Sequence, residues 1–451
     1  MESTLLLTDS SSSFAREHKN WAETITYSTS KIVQPKSVEE IQAILRDPSI
    51  KYVKTQGTGH TFNLIADSYK QGVIISLVNF KDVTVEDKVV HFGAGITYSE
   101  LIRHVDKAGK ALANLPSLPH INVVGSMITA THGSGHKQPL LVAHVQSYDI
   151  VLPNGDFKIM TRDDPHFFYY IHSFGCLGVI TRMSMSVEPT FNCFKAIYED
   201  LDWSIFDKQE TTDQVFKSSE FLSLFTDWKT RKMSSVWVAH KYHDEKDCPK
   251  YAPNYFEAEH IKTLNVHPVR GRDSTPCVFV GSGSWLEKIY HFFPDAPPSS
   301  GGDESHTEYF IPYKNFKQAL EALYAIREHF IHLVQVSELR FVAADNIPMS
   351  PAKGQDVVGF HWTWFRKHDE ILKVLPLIEK TLAPFNPKPH FGKLFILDGP
   401  TFLQRFGQDL VTLRDLVVKH DPHGKFSNEY STKYLNLTYP INSKTTERPK
   451  L

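Results

Sequence analysis

Cysteine is scarce: Cys176, Cys193, Cys248 and Cys277 are the only four in 451 residues, and none stands in CxxC spacing. A disulfide framework is therefore excluded, and no metal site is expected. An excess of one charge is also missing, since Lys+Arg 49 against Asp+Glu 51 leaves a formal −2. That balance gives no basic footprint for nucleic acid or an anionic membrane. No apolar run approaches the ~20 residues that cross a bilayer. The longest, Gly72–Val78, is strand-sized. The N-terminus has no basic region, and Leu5–Leu7 is too short for a signal sequence. An intracellular, cytoplasmic protein is expected. The terminal Pro449-Lys450-Leu451 ends like a peroxisomal address but begins with the wrong residue. It leaves a peroxisomal location open beside the plainer reading of a polar tail.

What is present is a globular composition, 41% hydrophobic and 22% charged, with length for two or three domains and no internal repeat. Residues 1–20 read as a flexible terminus and 21–189 as a first domain of short β-rich runs and helices. Residues 190–383 read as a second α+β domain, and 384–451 as a C-terminal segment with a flexible tail. Ser37-x-x-Glu40 and Thr97-x-x-Glu100 are capping boxes opening amphipathic runs at Val38–Leu45 and Tyr98–Leu112. Asn154-Gly155 marks a hairpin, and Asp164-Pro165 opens a helix through His172. Val179–Val187 and Val334–Val342 read as strands, and Phe316–His329 as a helix. Pro297-Pro-Ser-Ser-Gly-Gly302 reads as a flexible surface loop.

Gln56-Gly57-Thr58-Gly59-His60-Thr61 follows a strand at Tyr52–Thr55, and Thr129-Ala-Thr131-His132-Gly133-Ser-Gly135 has the same character. Closely spaced glycines let backbone amides approach a ligand, as a pyrophosphate requires. Each loop alone is equally a tight turn; neither is a Walker loop or a GxGxxG fingerprint. Glu338 and Arg340 alternate on their strand and share a face. An exposed ion pair is the bland reading, but the apolar residues around them point to burial, which is costly for unpartnered charges. His361 and Thr363 repeat the spacing in Gly359–Phe365, and Lys393 sits inside the apolar run Phe391–Phe395, read as a strand. A satisfied core histidine is the plain alternative for His361.

Gly57-Thr-Gly-His60-Thr, Leu115-Pro-Ser117-Leu-Pro-His120, Thr131-His-Gly-Ser-Gly135 and Gly175-Cys-Leu-Gly-Val179 resemble the flavin domain of FAD-linked oxidases of the vanillyl-alcohol-oxidase type. Within that superfamily the chain is similar to alditol (xylitol/sorbitol) oxidases and, more distantly, to aldonolactone oxidases. The likeness continues through Thr307-Glu-Tyr-Phe310, Ser337-Glu338-Leu-Arg340, His361-Trp-Thr363-Trp, Pro389-His-Phe-Gly-Lys393 and Asp421-Pro-x-Gly-Lys425-Phe. It implies an α+β, two-domain FAD-binding fold of the PCMH type, with a substrate or cap domain built on an antiparallel sheet with helices.

The resemblance further implies that FAD is covalently attached through His60. No cysteine falls in Pro119–Gly125, where bicovalent members carry a second link. Gly57, Thr58, Gly59, Thr61, Gly125, Thr129, Thr131, His132 and Gly133 would contact the pyrophosphate and ring edge, Asn114 and Ser117 the ring, and Gly178 and Val179 the adenine. Ser117, Glu338, Arg340, Thr363 and Lys393 would line a polyol site. Arg340 and Lys393 would polarise the reacting oxygen. His361 is the first candidate for accepting the proton and Lys393 the second. The implied activity is oxidation of a polyol CH₂OH to the aldehyde with O₂ reduced to H₂O₂. The alternatives are an aldonolactone oxidase, a polyol dehydrogenase using another acceptor, and a non-catalytic sugar-binding relic. The run Phe391-Gly-Lys-Leu-Phe favours the alditol branch, since lactone oxidases usually have Trp-Ala-Lys there.

Overall fold

A computed structural model describes residues 17–296 and 302–438. Most of the Pro297–Gly302 loop, residues 1–16 and the Pro449-Lys450-Leu451 tail lie outside the described residues.

Two sheets form first. Strands β1 (Ile32–Val33), β2 (Val53–Gln56) and β3 (Val73–Ser76) are parallel, in the order β1-β3-β2. A parallel pair needs a crossover, and helix α1 (Val38–Arg46) lies between β1 and β2 in the chain. Strands β4 (Val83–Val85), β5 (Val89–Gly93), β6 (Val145–Val151), β7 (Phe157–Thr161) and β8 (Val179–Ser186) form an antiparallel sheet, β4-β5-β8-β6-β7. The Asn154-Gly155 hairpin joins β6 to β7, with Val151 opposite Phe157. Thr97 and Glu100 close a full capping box on helix α2 (Tyr98–Lys107). The box expected at Ser37 is only half made, because the Glu40 carboxylate accepts from the Lys36 amide instead. Helix α2 also stops short of Leu112. Gly109 reverses the chain at φ +70°, a left-handed turn that ends the helix. The helix expected from Asp164 begins only at Phe167 and ends at Ile171.

A ten-stranded sheet follows. Its long strands are β9 (Asn192–Asp202), β10 (Phe221–Thr226), β11 (Lys232–Tyr242), β12 (Glu304–Pro312), β13 (Val334–Val342) and β14 (Val357–Phe365). They pair antiparallel in the order β9-β11-β10-β13-β14-β12, and β15 (Lys388–Pro389) joins the β12 edge. Alternation sorts the side chains onto two faces. Tyr309 on β12 donates to Glu379 of helix His368–Leu382 at 2.6 Å, so that face is the helix-covered one. Trp362 and Trp364 are fully buried with stacked indoles and pack on Phe330. Their burial leaves His361 and Thr363 on the opposite face, toward the N-terminal sheets. The helix expected over Phe316–His329 ends at Ala325, and Arg327–His329 is a separate 3₁₀ turn.

The parts are joined by backbone bonds: Gly135 N–H to the Phe341 carbonyl (3.2 Å) and Phe62 N–H to the Gly392 carbonyl (2.8 Å). The Asp421 carboxylate accepts from the Lys425 and Phe426 amides, making the expected exit from helix Gln408–His420. Among the described residues no helix is long and apolar enough to cross a membrane.

Candidate active site

A cavity of about 320 Å³ opens between the N-terminal sheets and the free face of the large sheet. Gly57, Thr58, Gly59, His60, Thr61, Ser117, Gly125, Thr129, Thr131, His132 and Gly178 line it from one side, and Arg340, His361 and Lys393 from the other. Asn114 and Gly133 stand behind this wall, Val179 points into the core beside the cavity-lining Ile180, and neither Glu338 nor Thr363 lines this cavity. Asn114 instead lines a small adjoining cavity, with Ser117 and Arg340 common to both.

Two asparagine side chains pack hard against the glycine loops, leaving no room for side chains there. A Cβ at Gly57 would fall 2.7 Å from Asn122 Cβ, and one at Gly133 would fall 2.1 Å from Asn114 Oδ1. Asn122 organises the first loop: its Nδ2 donates to the Ala94 and Ile96 carbonyls, its Oδ1 accepts from Gly125 N–H, and its own N–H donates to Thr58 Oγ1. Its role was invisible in the sequence, where only the Gly-containing segments carried a signal.

His60 lies 4.8 Å from Trp21, rings stacked, with Nδ1 2.9 Å from Thr58 Oγ1. Trp21 N–H donates to the Gly59 carbonyl, so residues just before the first sheet hold the loop from outside. Nε2 is buried without a partner among the described residues. Burial, helped by nearby His120 and His306, brings the His60 pKa down to about 4. The ring is therefore neutral at physiological pH, with a free lone pair.

On the large sheet, Glu338, His361 and Glu308 stand opposite one another across β13, β14 and β12. Glu338 Oε1 is 3.4 Å from both Arg340 Nε and His291 Nε2, and Oε2 is 4.0 Å from His361 Nδ1. Burial would raise the Glu338 pKa, but the Arg340 guanidinium, with a hydrogen bond from Ser223, outweighs it and keeps the carboxylate ionised. His361 is held well below its usual range by burial and then by Lys393 and His306. Both its ring nitrogens lack hydrogen-bond partners among the described residues.

Lys393 does not lie on a strand. The carbonyls of Phe391 and Lys393 are taken by the Asn63 side chain (2.7 Å each), and the Lys393 amide turns back to the His390 carbonyl. A loop held by these bonds cannot pair as a strand. Lys393 Nζ reaches Glu308 at 2.8 Å, and the other Glu308 oxygen meets His132 Nε2 at 3.0 Å. Burial lowers the Lys393 pKa, with Glu308 opposing, while Lys393 and His132 overcome burial to hold Glu308 well below the carboxylate range. Glu308, His306 and His390 all line the cavity and were missed. The signal for two of them was the i, i+2 alternation of His306 and Glu308 on β12, the same pattern that exposed Glu338 and Arg340.

Residues 29–161 match the FAD binding domain family, and residues 304–434 match the D-arabinono-1,4-lactone oxidase family. The fold is that of cholesterol oxidase from B. sterolicum, with a TM-score of 0.71 at 14% identity over 94% of this chain and 97% of that one. Fold and cavity thus define an FAD-dependent oxidoreductase with the PCMH-type FAD-binding architecture expected from the glycine loops. An alditol oxidase of Streptomyces sp. is 33% identical over 91% of this chain and 97% of its own. The mouse L-gulonolactone oxidase is 24% identical over 92% and 98%. The chain belongs to the alditol oxidase family of FAD-linked oxidases.

Proposed function

We propose that this protein oxidises the primary alcohol of a sugar alcohol of the xylitol or sorbitol type to the aldehyde, with O₂ reduced to H₂O₂. The observation that carries the reading is the group Glu308, Arg340, His361 and Lys393 on the wall of a glycine-lined cofactor cavity, with the ionised Glu338 paired to Arg340 beside them. Bound FAD supplies the hydride acceptor and returns the electrons to O₂. Orientation and proton handling fall to the chain. The ionised Glu338 accepts hydrogen bonds from substrate hydroxyls, with Ser117 beside it and Thr363 one alternate position along from His361. The Arg340 guanidinium and Lys393 donate to the reacting oxygen and support negative charge as it develops. His361, neutral and with both nitrogens free, takes the hydroxyl proton. Lys393 is the weaker candidate, since Glu308 holds it as an ion pair. His60, a neutral nucleophile, carries the covalent link to the flavin 8α carbon. Pro116 is buried on the cavity wall beside Ser117.

Peroxide release in air tests the substrate class: xylitol and sorbitol are expected to yield it, and galactono- and gulono-lactone are not. Peroxide from lactones alone overturns the reading, and anaerobic bleaching by alditols without peroxide in air makes the protein a dehydrogenase. His361→Ala is expected to slow anaerobic flavin bleaching about 10²–10⁴-fold. A proton acceptor works only when deprotonated, so activity falls as pH drops through its pKa. With that pKa well below 6.5, the parent enzyme keeps a flat rate above pH 6.5 and loses it only in more acid solution. An unchanged rate in the variant removes His361 from this role.

A further inference from the structure

Beyond the row that faces the flavin cavity, the same sheet face continues across β10, β11 and β9. There it holds a second cavity of about 20 Å³, lined by Asn114, Ser117, Lys195, Ser223, His291 and Arg340 among others. Ser117 and Arg340 line both cavities, so the small one adjoins the substrate end of the large one. Its volume matches a single water-sized group, which needs two to four polar partners. Such partners are present and under-used. Asn114 Nδ2 is buried without a hydrogen-bond partner among the described residues, and Arg340 Nε and Glu338 Oε1 make no hydrogen bond there, meeting only as an ion pair at 3.4 Å. Ser223 Oγ lies 3.4 Å from His291 Nε2 and also donates to the Glu338 carboxylate, which ties this pocket to the charged pair. Lys195, 3% exposed, spends one donor on the Tyr290 carbonyl at 2.8 Å and lies 4.7 Å from the centre of the Trp237 ring. Buried polar groups in a folded protein are normally satisfied, so this concentration of unmet ones marks a place for a ligand group.

Resting on the polyol reading above, we propose that this cavity receives the hydroxyl at the far end of the alditol, so that Lys195 and Ser223 are specificity-determining residues that read substrate length. Two strand spacings across and two residues along, together about 12 Å, separate His361 on β14 from Ser223 on β10, a span an extended alditol covers with a hydrogen bond at each end. The chemistry favours a hydroxyl over a carboxylate. Burial, and then Lys288, bring the Lys195 pKa to about 7, so it is not a fixed cation. Burial holds His291 near 3, hence neutral. A mixed donor and acceptor environment with room for one oxygen suits an alcohol. His291 N–H also donates to the Ser117 carbonyl, which ties the pocket to the segment passing the flavin.

The test compares xylitol with its terminal deoxy analogue, which keeps one oxidisable CH₂OH and lacks the far hydroxyl. Second-order rates of anaerobic flavin bleaching are read in the holoenzyme, Ser223→Ala and Lys195→Met. The parent is expected to favour xylitol about 10–100-fold, because the analogue leaves buried polar groups unpaired. In both variants the preference shrinks to within about threefold, a change in ratio that general loosening of the fold does not produce. Ser223→Ala removes a single oxygen, so it keeps the test readable if Lys195→Met folds poorly. Equal rates in the parent, or a preference surviving in Ser223→Ala, overturn the inference alone and leave the cavity as a structural water site. No bleaching by any alditol overturns it together with the polyol reading.

Discussion

His60→Ala is expected to release the flavin completely from the polypeptide. Precipitated in acid, the parent carries its yellow colour into the pellet, and the variant leaves it in the supernatant. The geometry separates His60 from the other histidines near its loop, while His361, which shares its free nitrogens, stands across the cavity on the large sheet. His60 combines a cavity position, an unpartnered buried Nε2 and a pKa near 4 that keeps the ring neutral. His120 also has both nitrogens buried and unpartnered, but it does not line the cavity. His132 is committed on both sides, to the Gly133 carbonyl and to Glu308. The cradle formed by Gly57, Asn122 and Gly125 does not depend on His60, so the variant still binds FAD without the link. Colour that stays with the acid-precipitated variant, or leaves the parent, overturns the assignment of His60.

The sequence reached the face-sharing of residues better than their partners. Period-two alternation placed Glu338 with Arg340 and His361 with Thr363, and both strands run over the expected residues. Register was not legible: that Glu308 stands opposite His361, which stands opposite Glu338, follows from pairing strands up to some fifty residues apart. Lys393 was rightly singled out as an odd lysine among apolar neighbours, but its loop was read as a strand. The reason is Asn63, 330 positions from Lys393, whose side chain takes the carbonyls that a strand would have offered to a neighbour. The early stop of α2 was legible in principle, since Gly109 stands where a left-handed turn ends the helix. Lys195 had no local signal, because only the sheet order β9-β11-β10-β13 brings it toward Arg340, and His291 had none because it stands in an irregular segment held by the Ser117 carbonyl.

Glu308→Gln is expected to be the most damaging change on the substrate side of the site. The Glu308 carboxylate is 1% exposed and holds Lys393 at one oxygen and His132 at the other. Removing its charge leaves the Lys393 ammonium buried without a counter-ion. The cost is about 3–5 kcal/mol of stability, the usual penalty for breaking a buried pair from one side. Burial then drives Lys393 toward the neutral amine, and the cation that supports charge on the reacting oxygen is lost. Turnover is expected to fall about 10²–10³-fold, as for removal of a donor to a developing oxyanion. Lys393→Met gives a similar loss by exposing Glu308 to the same uncompensated burial. The double variant separates structure from chemistry. With both charges gone, its denaturation midpoint should recover well above the additive expectation, a coupling of about 2 kcal/mol or more, while turnover stays as low as in either single variant. Strictly additive stability losses show that the two charges are not energetically paired. Recovered turnover in the double variant removes Lys393 from the reaction, because a site that works without its cation did not need one.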